Sequence, residues 1–157
     1  MESNNPYEAP ASFAVDAQRD TTRPLFRTGA IYIATFMGST LAGGWVLAMN
    51  HEALGQPGLA RKARWSGLVA SLALMALSFL LPWQIPGVAY LVPQLLAVSQ
   101  WLKKTPQGDA IAVRLAAGLP MRSNWAAAGI GLLCGLAQLA ALGLIALTAI
   151  YGFGVEL

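Results

Sequence analysis

Charge is what this sequence has least of. Three tracts, at residues 28–51, 65–102 and 123–155, contain no Asp, Glu, Lys or Arg. Only 11% of the 157 residues are charged, against about a quarter in an ordinary soluble chain, and 56% are apolar. A water-soluble fold has too few polar side chains here to cover such a core. The scarcity of charge therefore predicts a membrane protein.

The residues of most catalytic and metal sites are also missing. The chain has one cysteine, Cys134, and one histidine, His51, so it can form neither an internal disulfide nor a His/Cys zinc site. His51 and Glu52 are neighbouring titratable residues, but adjacent positions on a helix point in different directions. We interpret them as interfacial residues. The glycines of 38–44 lack the lysine of a phosphate-binding loop. We predict no enzyme activity and no cofactor.

A nucleic-acid-binding surface is absent too. The net charge is only +3, and the ten basic residues lie in short connections instead of forming one basic stripe. A secretory signal would begin with a basic segment followed directly by an apolar one. Residues 1–27 are instead polar and mixed in charge. We expect no nucleic acid partner, and we interpret the first apolar tract as a retained span.

Helix length divides the three tracts into four spans. An α-helix needs about 20 residues to cross a hydrocarbon core of about 30 Å, which suits the first tract, and the other two are longer. The middle tract contains Pro82 and Pro86, which cannot both continue one helix. The predicted fold is all-α, a polytopic bundle of four transmembrane helices over residues 28–157 after a flexible tail at 1–27. The predicted spans are about 29–49, 65–81, 87–102 and 125–153.

Tryptophans and basic residues give an expected topology. Tryptophan is favoured at the interface between water and lipid. Four tryptophans lie at or near the ends of the predicted spans: Trp65, Trp83, Trp101 and Trp125. Three basic residues precede the first span, whereas seven lie in the two longer loops. The excess of positive charge favours cytoplasmic loops, with both termini outside.

The second of these loops, between the predicted spans 87–102 and 125–153, is predicted to contain a short interfacial helix. Asp109 is suited to cap its start. Apolar residues recur at every fourth position, while two arginines are expected to stay in water. The apolar residues are Ile111, Leu115 and Leu119, and the arginines are Arg114 and Arg122.

Small residues at fourfold spacing predict close helix packing in lipid, where water exclusion cannot drive association. The first span offers Ala34, Gly38 and Ala42, and the fourth span offers Ala127, Gly131 and Gly135. The sequence leaves open whether these two faces meet each other or a second copy of the chain.

A polar layer is predicted near the middle of the spans, consisting of Ser39, Thr40, Gln94 and Gln138. An amide without partners in hydrocarbon costs several kcal/mol. We therefore expect Gln94 and Gln138 to hydrogen-bond to each other or to a backbone carbonyl that has lost its helical donor. The carbonyl of Ala89 is one candidate, because Pro93 has no N–H to donate to it. The layer is either structural or a polar site for a solute or a partner helix.

The segment Asn5-Pro6-Tyr7-Glu8-Ala9-Pro10 is followed by Ala34-Thr35-Phe36-Met37-Gly38-Ser39 and Leu41-Ala42-Gly43-Gly44. This pattern resembles small uncharacterised bacterial inner-membrane proteins with an Asn-Pro-Tyr-x-x-Pro tail. The resemblance implies a location in the bacterial plasma membrane, for which the four predicted spans give a multi-pass protein. It implies no activity and no site residues.

Three functional hypotheses follow. The favoured one is a non-catalytic protein that acts by helix–helix or protein–protein interaction, with the lipid bilayer around it and a second copy or another membrane protein as partner. The second is an immunity protein that protects the inner membrane against a toxin. The third is an oligomeric pore or carrier, in which the polar layer lines the path of a small solute.

Overall fold

The computed structural model describes residues 23–80, 84 and 86–153, and its regular structure is entirely helical. The all-α prediction is confirmed for these residues. The helices are α1 (Thr28–Ala53), α2 (Pro57–Leu80), α3 (Gly87–Lys104), α4 (Gln107–Ala116) and α5 (Asn124–Phe153). Most of the predicted tail, its Asn-Pro-Tyr motif, and Pro82 and Trp83 lie outside the described residues.

Helix α1 does not run in one direction. In a continuous helix, residues 26 and 50 would lie about 36 Å apart along the axis. Instead, the side-chain amide of Asn50 bonds to both backbone groups of Phe26 at 2.8 and 3.0 Å. A Cβ atom added to Gly43 would lie 2.3 Å from Thr35 Oγ1, although eight helical residues rise about 12 Å. The chain therefore folds back on itself.

The reversal occurs at Gly38 and Ser39, which we call the tip. Both residues have non-helical backbone angles, and Ser39 has φ 56° and ψ −166°. This region is populated almost only by glycine and costs other residues about 1–3 kcal/mol. The first arm of the hairpin comprises residues 28–37 and the second arm residues 40–53. The predicted straight span at 29–49 is therefore corrected to a helical hairpin.

Small residues allow the two arms to approach their neighbours closely. At the end of the first arm, a Cβ added to Gly38 of the tip would lie 2.3 Å from the carbonyl oxygen of Gly131 in α5. On the second arm, a Cβ at Gly44 would lie 2.8 Å from the Cα of Gly67 in α2. Helix α3 also packs on the hairpin. The hairpin is therefore the central element, and α2, α3 and α5 surround it.

The basic residues of the described segments all lie at the open end of this hairpin. The backbone N–H of Arg122, just before α5, donates to the carbonyl of Leu25 at 2.8 Å. The indole of Trp101, near the end of α3, donates to His51 at 3.1 Å. The start of α1 and the loops thus share one end of the molecule, which we call the basic end. The expectation that the residues before α1 lie opposite the loops is therefore wrong.

Helices α2, α3 and α5 continue past the tip, and their residues there carry no charge. In α5 this stretch runs from 139 to 153 and exposes large apolar side chains, with Leu139 66% and Leu144 67% exposed. Among the described residues, two helices are long and apolar enough to cross a membrane, Thr28–Ala53 and Asn124–Gly152. Length and composition alone support this, and the first of the two is the folded-back hairpin.

Helix α4 buries a different face from the predicted one. Gln107, Ile111 and Arg114 are buried, whereas Leu115 is 46% exposed. Arg114 therefore does not stay in water. Asp109 lies in the first turn, and the capping residue is Pro106 without a side-chain bond. The apolar spacing predicted which residues form a stripe on this helix. It did not show that the polar residues one turn before and after Ile111 would be buried with it.

A candidate binding site at the tip of the hairpin

Gln138 in α5 binds the tip through both ends of its amide. Its Oε1 accepts hydrogen bonds from the hydroxyls of Ser39 and Ser71, each at 2.9 Å. Its Nε2 donates to the carbonyl of Gly38 at 2.9 Å and to that of Cys134 at 3.3 Å. The carbonyl of Gly38 is available because the helix breaks there. Gln138 thus joins α1, α2 and α5 at one level.

The two serine hydroxyls each have one proton, and both protons are directed to Gln138 Oε1. Their oxygen atoms lie 3.2 Å apart. Ser39 Oγ is also 3.5 Å from the backbone nitrogen of Leu41 in the first turn of the second arm. The remaining capacity of these hydroxyls is as hydrogen-bond acceptors.

Gln94 does not pair with Gln138. Its Nε2 donates to the carbonyl of Tyr90 on its own helix at 3.0 Å, so the expected bond to Ala89 is not formed either. Its Oε1 is buried and has no partner. A buried amide oxygen without a donor is uncommon in proteins and calls for an explanation.

A cleft of about 350 Å³ lies between the tip, α3 and α5. Its polar lining consists of Ser39, Gln94, Gln138 and Thr35, whose hydroxyl already donates to the carbonyl of Ile31. Apolar side chains form most of the remaining wall, among them Phe36, Met37, Leu91, Leu139 and Leu142. The cleft therefore combines an apolar wall with a few hydrogen-bonding groups, which is typical of small-molecule sites.

Thr40, the fourth residue of the predicted polar layer, faces away from this cleft. It is 7% exposed, its Oγ1 has no partner, and it lines a smaller cavity of about 130 Å³. This cavity lies between the second arm, α2 and α3, and its lining includes Trp101. The predicted polar residues are therefore divided between two cavities on opposite sides of the tip.

The structure brings most of the predicted small-residue positions together within one chain. Ala34 and Gly38 lie against Gly131, and Gly135 lies against Met37. Ala42 and Ala127 are fully buried. The sequence reasoning did not include Gly67 or Ser71 of α2. Ser71 lies near the middle of a charge-free tract, so its position was a usable signal for a member of the polar layer.

His51 is fully buried at the basic end and has both ring nitrogens bonded. Its Nε2 accepts from the indole N–H of Trp101 at 3.1 Å, because indole is only a donor. Its Nδ1 therefore carries the proton and donates to Gln56 Oε1 at 2.9 Å. Within the described part of the chain, no three His, Cys, Asp or Glu residues are grouped to hold a metal.

Glu52, the neighbour of His51, forms an ion pair with Arg64 in α2. The guanidinium of Arg64 also lies over the ring of Trp45, 5.2 Å from its centroid. Glu52 and His51 thus bind different partners and do not form a catalytic pair.

Comparison of the chain with protein-family models, with curated proteins and with solved structures finds no match.

Proposed function

We propose that this is a non-catalytic integral protein of the bacterial inner membrane, which crosses the bilayer with α2, α3 and α5. In this proposal the hairpin α1 enters from the basic end and turns back halfway. The basic end would be cytoplasmic, because the basic residues are concentrated there. Non-helical backbone at this depth is tolerated where protein surrounds it, and Gln138 supplies partners for the tip.

This topology has three crossings and places the two termini on opposite sides. Reporter fusions test it directly. A fusion near Asp109 is expected to report the cytoplasm and a C-terminal fusion the periplasm. A four-crossing bundle predicts that a fusion at the N-terminus and one at the C-terminus report the same compartment. That result would overturn the proposed placement.

We further propose that the protein is a carrier or pore for a small uncharged polar solute that binds in the cleft at the tip. The observation that carries this proposal is the buried, unpartnered Oε1 of Gln94, because Gln94 is one of the residues that line the cleft, together with Ser39 and Gln138. An interaction role through the small-residue faces has less support, since Gly38 and Gly131 pack against each other within the chain.

The hydrogen-bonding groups indicate the chemistry of the solute. Gln138 uses both ends of its amide, and the protons of Ser39 and Ser71 are both donated to it. Gln94 Oε1 and the lone pairs of Ser39 remain as acceptors, so the solute must donate through O–H or N–H groups. None of the described residues that line the cleft is charged, and an unpaired ion there would have a large desolvation cost. We therefore propose small polyols and amides.

Liposomes that contain the purified protein test this function. We expect glycerol or urea to enter faster than in protein-free liposomes, and Gln94→Leu to remove most of the increase. The matched control is Gln100→Leu, the same substitution at an exposed position of the same helix. Permeability equal to that of protein-free liposomes, or equal loss in both variants, would contradict the proposal.

A further inference from the structure

A third pocket, of about 300 Å³, lies at the basic end, away from the tip. It is formed where the hairpin begins, where it ends and where the chain approaches α5. Its lining consists of Arg23, Pro24, Met49, Glu52, Ala53 and Arg122. None of these residues belongs to the cleft at the tip. The pocket therefore needs an explanation of its own.

Arg122 is held in this pocket by uncharged contacts. Its guanidinium lies over the ring of Phe26, 5.0 Å from the centroid, and its Nη1 is 3.9 Å from the sulfur of Met49. Phe26 is itself buried, and its backbone is bonded to Asn50. The side chain of Arg122 is thus positioned without using its charge, and its remaining N–H groups are available to a ligand.

The charges of the pocket do not cancel. Of the described residues in the lining, only Glu52 is acidic, and it forms an ion pair with Arg64. In the part of the chain that the structure describes, neither Arg23 nor Arg122 pairs with a carboxylate. Two guanidinium groups therefore lack a counter-charge. Arginine side chains match the geometry of phosphate oxygens, to which they donate in a bidentate manner.

The position of the pocket favours a lipid as the source of the phosphate. Trp125 is 86% exposed at the start of α5, and Trp65, directly after the basic residues of α2, is 61% exposed at the same end of the molecule. Such tryptophans are typical of the headgroup level of a bilayer. Under the membrane placement proposed above, this level belongs to the cytoplasmic leaflet, where basic pockets between helices bind anionic headgroups.

We infer that the pocket of Arg23 and Arg122 binds the phosphate group of an anionic phospholipid. The guanidinium groups bind the phosphate oxygens, and the acyl chains extend along the exposed apolar faces of the helices. The inference rests on the proposed membrane placement but not on solute binding in the cleft. Failure of glycerol or urea to cross the liposomes would therefore leave it unaffected.

Lipid binding by the full chain in a neutral detergent tests the inference, because no charged surface is present to attract lipid non-specifically. The double variant R23Q/R122Q is compared with K103Q/K104Q, which removes the same charge from exposed residues outside the pocket. We expect phosphatidylglycerol to bind the unchanged protein at least about tenfold more tightly than phosphatidylcholine. R23Q/R122Q is expected to lose this preference, and K103Q/K104Q to retain it.

Two further measurements keep the outcome decisive. Helical content and thermal unfolding in detergent alone establish that R23Q/R122Q is folded, and R122K, which keeps the charge but loses the planar donor pair, is expected to bind phosphatidylglycerol with intermediate affinity. Equal losses in the two double variants would overturn the inference. Inorganic phosphate that displaces the lipid completely would also overturn it, since free phosphate would then be the ligand.

Discussion

Asn50 and Phe26 lie 24 residues apart in sequence, yet the amide of Asn50 pairs with the backbone of Phe26 as an adjacent strand would. Oδ1 accepts from the N–H of Phe26, and Nδ2 donates to its carbonyl. Both residues are about 1% exposed. This pair closes the open end of the hairpin, and it joins the chain before α1 to the last turns of α1.

Asn50→Ala should destabilise the protein by about 2–4 kcal/mol, because it leaves both buried backbone groups of Phe26 without a partner. The measurement is the free energy of unfolding in mixed detergent micelles. Asn124→Ala is the control, since Asn124 is exposed at the start of α5. Equal stability of the two variants would mean that water replaces the side chain of Asn50 and that the pair contributes little.

Ser39 allows backbone strain to be separated from hydrogen bonding. Ser39→Gly and Ser39→Ala both lose the hydroxyl that donates to Gln138. Only glycine adopts φ 56° and ψ −166° without backbone strain. We expect Ser39→Gly to be about 1 kcal/mol more stable than Ser39→Ala, after the greater flexibility of glycine in the unfolded chain is subtracted. If alanine is equally stable, the tip of the variant adopts a different turn.

The two glutamines at the cleft should respond differently to the same substitution. Gln138→Leu leaves the carbonyl of Gly38 and two hydroxyls without their partner, and we expect a loss of about 2 kcal/mol. Gln94→Leu removes an oxygen that has no partner and an Nε2 whose acceptor, the carbonyl of Tyr90, also accepts the helical N–H of residue 94. No group is left without a partner, so stability should change by no more than about 0.5 kcal/mol. Thermal unfolding of both variants in one detergent provides the comparison. A large loss for Gln94→Leu would indicate that Gln94 is structural.

Gly67 should not tolerate a methyl group. A Cβ there would lie 2.6 Å from the carbonyl oxygen of Thr40 and 2.9 Å from the Cα of Gly44, which are backbone atoms that cannot rotate away. We expect Gly67→Ala to destabilise the protein by about 2–3 kcal/mol through overpacking. Gly129→Ala is the control, because nothing lies within 4 Å of its Cβ. It should be neutral or stabilising by up to about 1 kcal/mol.

Some of this architecture follows from the sequence and some does not. The bounds of α3 and α5 lie close to the predicted spans 87–102 and 125–153, because a proline and a fall in hydropathy are both visible in the sequence. The tract at 28–51 has the length of one crossing, but its composition is the same if it turns back. Gly38 and Ser39 look like ordinary packing residues, and the partners that stabilise their turn come from α2 and α5.

The polar site could be predicted in part, because hydropathy shows which polar residues lie inside apolar tracts. Gln94 and Gln138 lie near the midpoints of their helices, and such positions can be read from hydropathy. Their hydrogen-bond partners could not be read, since Tyr90 and Gly38 offer only backbone carbonyls. The division of Ser39 and Thr40 between two cavities depends on the direction of the chain after the turn. Hydropathy carries no information about that direction.

The bond between Ser39 and Gln138 also constrains how the protein is made. The two residues are separated by 99 positions, so during translation the hairpin emerges long before α5 exists. Until then, the strained turn has no amide to bind it, and the Gly131 surface that its first arm packs against has not been synthesised. Completion of the N-terminal hairpin therefore waits for the last helix, and a chain truncated before α5 lacks the partners of that turn.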